Sequence, residues 1–244
     1  MKFKAFHKLS YGIYLVASEF QGKKSGYIAN TAFQVTSEPE KLAISCHKKN
    51  ETTQVILDSG IFSVSVLNKE VNMKIIGDFG FMSSTEIDKF KGVITITAKT
   101  GAPIVLDNSV AWFDCKVVNS VDLGSHYLII GEVLDAEVIS DDEPLTYSHY
   151  REKYKMYSPK NSPTYIEKSI LDTEFLTSAG EEKEPEHEHL FDGQSYVCVI
   201  CGFTYNPEEG DPSMGLAPGT PFEELPLDYR CPICNASKEY FKKV

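Results

Sequence analysis

Positive charge is what this chain has too little of for one large class of partners. Its 244 residues carry 24 lysines and arginines against 35 aspartates and glutamates, a formal net charge of −11. Nucleic-acid binding needs a basic face to neutralise phosphates, so that class is excluded. Long apolar runs are missing as well. No stretch reaches the ~18 apolar residues of a membrane span. The opening "MKFKAFHKLSYGIYLVAS" is interrupted by Gly12 and the polar residues before it, so it lacks the core of an export signal. Nothing in the composition is collagenous, repetitive or globally disordered. Cysteine is sparse, six in all. The expectation is a cytoplasmic chain with reduced thiols, in which paired Cys-x-x-C motifs hold a metal rather than a disulfide.

What the chain does have is enough apolar content for a core, 42%, with 11% aromatic residues. Residues 1–165 are rich in short β-branched and aromatic runs with partial period-two alternation: "GIYLVASEF", "KLAISC", "IFSVSVL", "GVITITA", "VAWFDCKVV" and "HYLIIGEVLDAEVI". A helix is predicted over "NETTQVILDSG", capped by Asn50 and ended by Gly60, and another through "EVNMKII". Many strands with few helices predict a closed or nearly closed antiparallel barrel.

Residues 166–193 read as an acidic flexible linker. Between 181 and 192 there are six acids against one lysine, and such a segment repels itself and buries no core. His187 and His189 within it read as solvated polar residues. Residues 194–244 form a third region, too short to hold itself together by hydrophobic burial alone. It contains four of the six cysteines, Cys198/Cys201 and Cys231/Cys234. A two-residue gap lets a tight turn aim both sulfurs at one ion, and two such turns close a tetrahedron. Four thiolates suit zinc or iron, and the spacing leaves both open. Cys46 and Cys115 sit in strand-like runs and read as buried small hydrophobes.

The segment "YVCVICGFTYNPEEGDPSMGLAPGTPFEELPLDYRCPICNASKEYF" closely resembles rubredoxin, the one-iron electron carrier. The resemblance implies a single Fe at Cys198, Cys201, Cys231 and Cys234, and an aromatic core of Tyr196, Tyr205, Phe222, Tyr229 and Phe241. Two positions depart from the family: Tyr229 stands where tryptophan is usual, and Asn235 where glycine follows the fourth cysteine. Asn tolerates the left-handed backbone that position needs.

The stretch "SGYIANTAFQVTSEPEKLAISCHKKNETTQVILDSGIFSVSVL", with "EIDKFKGV", "GAPIVLDNSVAWFDCKV", "GSHYLIIGEV" and "PLTYSHYREKY", resembles the flavin reductase family. That resemblance implies a split β-barrel binding FMN or FAD, commonly as a homodimer. The fold expectation is therefore mainly β: an FMN-binding split barrel followed by a small rubredoxin-like iron-binding domain. The joint arrangement resembles the high-molecular-weight rubredoxins of anaerobes, which pass NAD(P)H electrons to a flavodiiron protein.

On this basis Ala29, Asn30, Thr31 and Ala32 are expected beside the flavin ring, where small residues let backbone approach closely. His47, Lys48, Lys49, Thr52 and Thr53 offer charge, hydroxyls and a helix N-terminus for the phosphate, and Lys89 matches a family position that reaches it. His126 matches a histidine near the flavin and nicotinamide, with a role in orienting the nicotinamide or balancing protons. The "SPKNSPTYI" run is expected near a flavin, across a subunit boundary. No G-x-G-x-x-G fingerprint is present, so NAD(P)H is expected to stack on an exposed flavin face instead of docking on a Rossmann unit. Two other readings stay open: a non-enzymatic relay reduced by another protein, and a flavin reductase carrying a structural zinc module.

Overall fold

A computed structural model describes residues 2–85, 87–154, 158–159, 161–166 and 195–243. Gln21 and Gly22, both at positive φ, fold the first run into a two-residue hairpin. It joins β1 (Tyr14–Phe20) to β2 (Lys23–Ala29), with Tyr14 opposite Ala29. Next come β3 (Ala32–Ser37), β4 (Glu40–His47), α1 (Glu51–Ser59), β5 (Ile61–Leu67), α2 (Met73–Gly80), β6 (Thr95–Thr97), β7 (Pro103–Val105), β8 (Ser109–Asp122), β9 (His126–Val138) and α3 (Tyr147–Tyr154).

Seven strands make one antiparallel sheet in the order β2-β1-β5-β8-β9-β4-β3. Its edge strands are neighbours in sequence. If the sheet were flat, six spacings of ~4.8 Å would put β2 and β3 about 29 Å apart. Only Asn30 and Thr31 join them, with a reach of about 11 Å. The sheet must therefore curl until its edges approach, which is the barrel geometry the sequence predicts. Its interior is filled by Val16, Ile44, Ile56, Phe62, Cys115 and Ile129, among others. Gly131 on β9 is required there, because a Cβ would lie 2.5 Å from the Phe62 ring.

The two predicted helices form. Asn50 Oδ1 accepts from the Thr52 amide at 3.1 Å, and Gly60 closes α1 at φ 71; such a cap contributes about 1 kcal/mol. The second helix starts at Met73, later than "EVNMKII" suggests, because Asn72 Oδ1 caps the Lys74 amide at 2.9 Å. The sequence reading missed β2, whose "KKS" start is too polar for an apolar-run criterion. An edge strand tolerates that. It also missed α3, which buries Tyr147 and Tyr150.

Residues 195–243 carry a three-stranded sheet, β11-β10-β12, from β10 (Tyr196–Cys198), β11 (Thr204–Tyr205) and β12 (Phe241–Lys243). Strands of two or three residues are too short to hold a domain by themselves. The predicted aromatic core is present: Tyr196 stacks on Phe222 at 3.9 Å, and Phe222, Tyr229 and Phe241 lie 5.3–6.4 Å from one another. The Tyr229 hydroxyl, buried in this core, donates to Asp211 Oδ2 at 3.1 Å. The expected linker lies outside the described residues except at Ile166, and His187 and His189 fall there too. Among the described residues no helix is long and apolar enough to cross a membrane.

Candidate functional site

The two Cys-x-x-C turns are built alike. The Cys198 amide donates to Phe203 O and the Gly202 amide to Cys198 O, both at 2.8 Å. The Cys231 amide donates to Ala236 O at 2.8 Å and the Asn235 amide to Cys231 O at 2.9 Å. Each turn needs a left-handed residue after its second cysteine. Gly202 supplies it at φ 86 and Asn235 at φ 57, so the asparagine is conformationally equivalent to a glycine here.

The four sulfurs, all buried, lie within 4.8 Å of one another. Cys198–Cys234 and Cys201–Cys231 are separated by 3.6 and 3.5 Å. That is far beyond a disulfide bond and close to the ~3.8 Å edge of a tetrahedron with 2.3 Å metal–sulfur bonds. Hydrogen bonds from Cys201, Cys231 and Cys234 hold the Cys198 thiol far below its ordinary range. The bond to Cys198, ahead of burial, pushes Cys201 far above its own. Four buried sulfurs at these separations are the donor set of four thiolates around one metal ion.

A cavity of about 840 Å³ opens between the barrel and this cage. Of the residues singled out from sequence, Ala29, Asn30, Lys49 and Lys89 line it. Lys89 is 5% exposed and donates to the carbonyls of Gly26 at 3.0 Å and Phe79 at 3.4 Å. Asn30 Nδ2 donates to Thr164 Oγ1 at 2.6 Å, while its Oδ1 is buried and without a partner among the described residues. Asn50 and Glu51, at the start of α1, also border the space. A buried cation, a helix N-terminus and an unpartnered acceptor suit a phosphorylated ring ligand such as a flavin mononucleotide.

The remaining predicted residues do not line this cavity. Thr31 and Ala32 continue from its edge into β3, and Thr31 Oγ1 is buried without a partner among the described residues. Thr52 is bound to Ser25 Oγ at 2.8 Å, and Thr53 Oγ1 donates to His47 O at 2.8 Å. Lys48 pairs with Asp122 at 2.6 Å. His47 and His126 face each other across β4 and β9, ring to edge at 4.8 Å. Burial, then the neighbouring His126 and Lys49, hold His47 below the ordinary imidazole range. His126 Nδ1 contacts Ser125 Oγ at 2.9 Å.

Sequence reasoning passed over Phe79, Phe81, Ser83 and Ser84 on and after α2, which form one wall of the cavity. Their only sequence signal was adjacency to Lys89. The "SPKNSPTYI" run lines the cavity of its own chain through Ser158, Pro159 and residues 161–163, 165 and 166.

Cys46 and Cys115 are buried in the barrel, and burial pushes each thiol up to about 12. An unfolded thiol titrates near 8.5. Because the folded value is raised, the stabilisation is complete below pH ~8.5 and is lost as pH rises toward 12. A thiol probe at pH 8 should label neither residue until the chain is denatured. The alkaline loss of stability should shrink in Cys115→Ala, followed by denaturant midpoints at pH 8 and 10.5.

The barrel matches the family model for the flavin reductase like domain over residues 6–156, and the C-terminal unit matches the rubredoxin model over residues 195–241. The chain is 38% identical over 244 residues to a high molecular weight rubredoxin of Moorella thermoacetica, covering 100% of both. It is 47% identical over 167 residues to a ferric-chelate reductase (NAD(P)H) of Archaeoglobus fulgidus, covering 68% of this chain and 99% of that one. Among solved structures, a flavin reductase domain protein from Arthrobacter sp. FB24 shares the fold at a TM-score of 0.53 and 17% identity, covering 59% of this chain and 87% of that one. The two matched domains make the chain an oxidoreductase with a flavin domain and a one-iron domain. Full-length similarity, both domains in the same order and a cage fit for iron place it: the chain belongs to the flavin reductase-like family and, within it, to the high-molecular-weight rubredoxins.

Proposed function

We propose that this chain takes electrons from NAD(P)H through FMN to its iron centre and delivers them to a redox protein of the flavodiiron class. The observation that carries the reading is that the lysine-lined cavity and the four-thiol cage share a wall: Val199 and Ile200, between Cys198 and Cys201, border the cavity together with Ala29, Asn30 and Lys89. The Archaeoglobus relative, by its name an NAD(P)H-dependent reductase, supports the choice of donor.

Bound flavin accepts the two electrons of a hydride and gives them up singly, and iron held by four thiolates changes oxidation state with no open coordination position. The protein's part is holding and shielding. Lys89, fixed by two carbonyls, keeps a positive charge at the cavity wall for the phosphate. Asn30 Oδ1 offers an acceptor that an imide N–H would satisfy. The core around Phe222 and Phe241 keeps water from the inner side of the cage. His126, turned to His47, is given no step in transfer.

In this reading residues 1–165 bind flavin, 194–244 bind iron, and 166–193 tether them in a cytoplasmic protein. A homodimer is part of this reading, and sedimentation would test it. The decisive experiment is an anaerobic absorption titration with NADH and NADPH. Flavin bleaching followed by loss of ferric colour is expected. Bound flavin that neither nucleotide bleaches would make the chain a relay, and bleaching without colour loss would exclude internal transfer.

A further inference from the structure

We infer that the iron-binding unit has a seat on its own flavin domain, and that Gly77 is the residue that creates it. Gly77 lies inside α2, where glycine costs about 1 kcal/mol relative to alanine. A helix of eight residues has little reason to carry that cost unless another backbone needs the space. The Ile233 carbonyl occupies it: a Cβ on Gly77 would lie 2.1 Å from that oxygen and 3.1 Å from its carbon. Ile233 is one of the two residues between Cys231 and Cys234.

The other turn is engaged too. Val199 and Ile200 border the cavity, with Tyr240 beside them. Both turns that wrap the metal therefore face the barrel. The burial is continuous as well: Ile75, Ile76 and Phe79 of α2 belong to one apolar cluster with Cys231, Cys234 and Phe241, and Ile233 packs against it.

The contact is also light enough to release. Val199, Ile200 and Tyr240 stay 40–46% exposed while seated. The 28 residues between Ile166 and Ser195 reach up to about 95 Å when extended, so the unit can leave without cutting the chain. On the same chain the unit is present at roughly millimolar local concentration, and a small interface then suffices to populate the seat.

This inference rests on the function proposed above only for its purpose. NAD(P)H gives two electrons and one proton on becoming NAD(P)⁺, the proton passing to solvent. A single iron centre takes one electron, from ferric to ferrous. The unit must therefore be served twice for each nicotinamide oxidised, passing one electron to an acceptor protein between visits, and a seat that fills and empties meets that need.

The test compares the full holoprotein with Gly77→Leu and Gly77→Ala. Alanine raises helix propensity, so loss of α2 cannot explain its effect. Hydroxyl-radical footprinting should show Ile233 oxidised several-fold faster and Tyr240 up to about twofold faster in the variants, with core Tyr205 unchanged. Small-angle scattering should show a larger radius of gyration. Anaerobic stopped flow should show iron reduction slowed by about tenfold or more at unchanged flavin and iron content. Unchanged footprints and radius in both variants overturn the seat. Opened footprints with wild-type iron reduction overturn its role in transfer. If NAD(P)H bleaches no flavin even in the parent, the functional reading fails, while the footprints still decide the seat.

Discussion

Replacing Cys231 and Cys234 together with alanine should reduce bound iron from one per chain to almost none and unfold residues 195–243, with the barrel intact. The unit has strands of two and three residues and one aromatic cluster, burial that a chain of this size cannot rely on alone. Structural metal binding in small domains is worth on the order of 10 kcal/mol, so it is most of their folding energy. Two ligands fewer also leave Cys198 and Cys201 as an unmatched pair of buried thiols. The barrel interior around Ile44, Phe62 and Ile129 contains nothing from this unit. Metal analysis, visible absorption and amide exchange check the three parts of the prediction. Iron retained at one per chain would mean that the four-thiol cage is not the site.

Lys89→Met should cost the protein most of its flavin. Lys89 is 5% exposed, and its ammonium donates to Gly26 O and Phe79 O. Methionine fills similar volume but supplies no donor, so both carbonyls lose a charged partner, at about 1.5–3 kcal/mol for each such bond. In the proposed site it also removes the buried countercharge for a phosphate. Loss of a charge-assisted contact of that kind weakens binding by about 100-fold. Flavin-to-protein ratio after gel filtration and a titration of the apoprotein with FMN would read the change. Iron content should stay at one, because none of the four cysteines lines the cavity that Lys89 borders. Wild-type flavin affinity in a folded Lys89→Met protein would remove the lysine from the site.

The legibility of this protein from sequence divides along physical lines. The cage was readable because its chemistry is local: Cys-x-x-C fixes two ligands within one turn, and Gly202 and Asn235 mark where each turn ends. Helix α1 was readable because Asn50 and Gly60 are caps whose effect does not depend on distant residues. Strand β2 was hidden because its polar start is tolerated only at a sheet edge, and edges are assigned by topology. The flavin residues were legible in part. Ala29, Asn30, Lys49 and Lys89 converge on the cavity, whereas Thr52, Thr53 and Lys48 are drawn into hydrogen bonds and an ion pair elsewhere. Hydroxyls and lysines next to a helix start look alike in sequence, and which of them turn inward is decided by the partners that meet them.

By itself the sequence determined two chemistries and their order along the chain, a strand-rich domain matched to flavin reductases and then a four-thiolate metal module, because each is written in short contiguous motifs. Only the tertiary structure decided that β2 and β3 close the sheet around Asn30 and Thr31, that His126 turns to His47 and off the cavity, and that Gly77 admits the Ile233 carbonyl. Those outcomes depend on distances between residues 79 to 156 positions apart, or on the two ends of a seven-stranded sheet. A reading limited to local spacing contains no term for them.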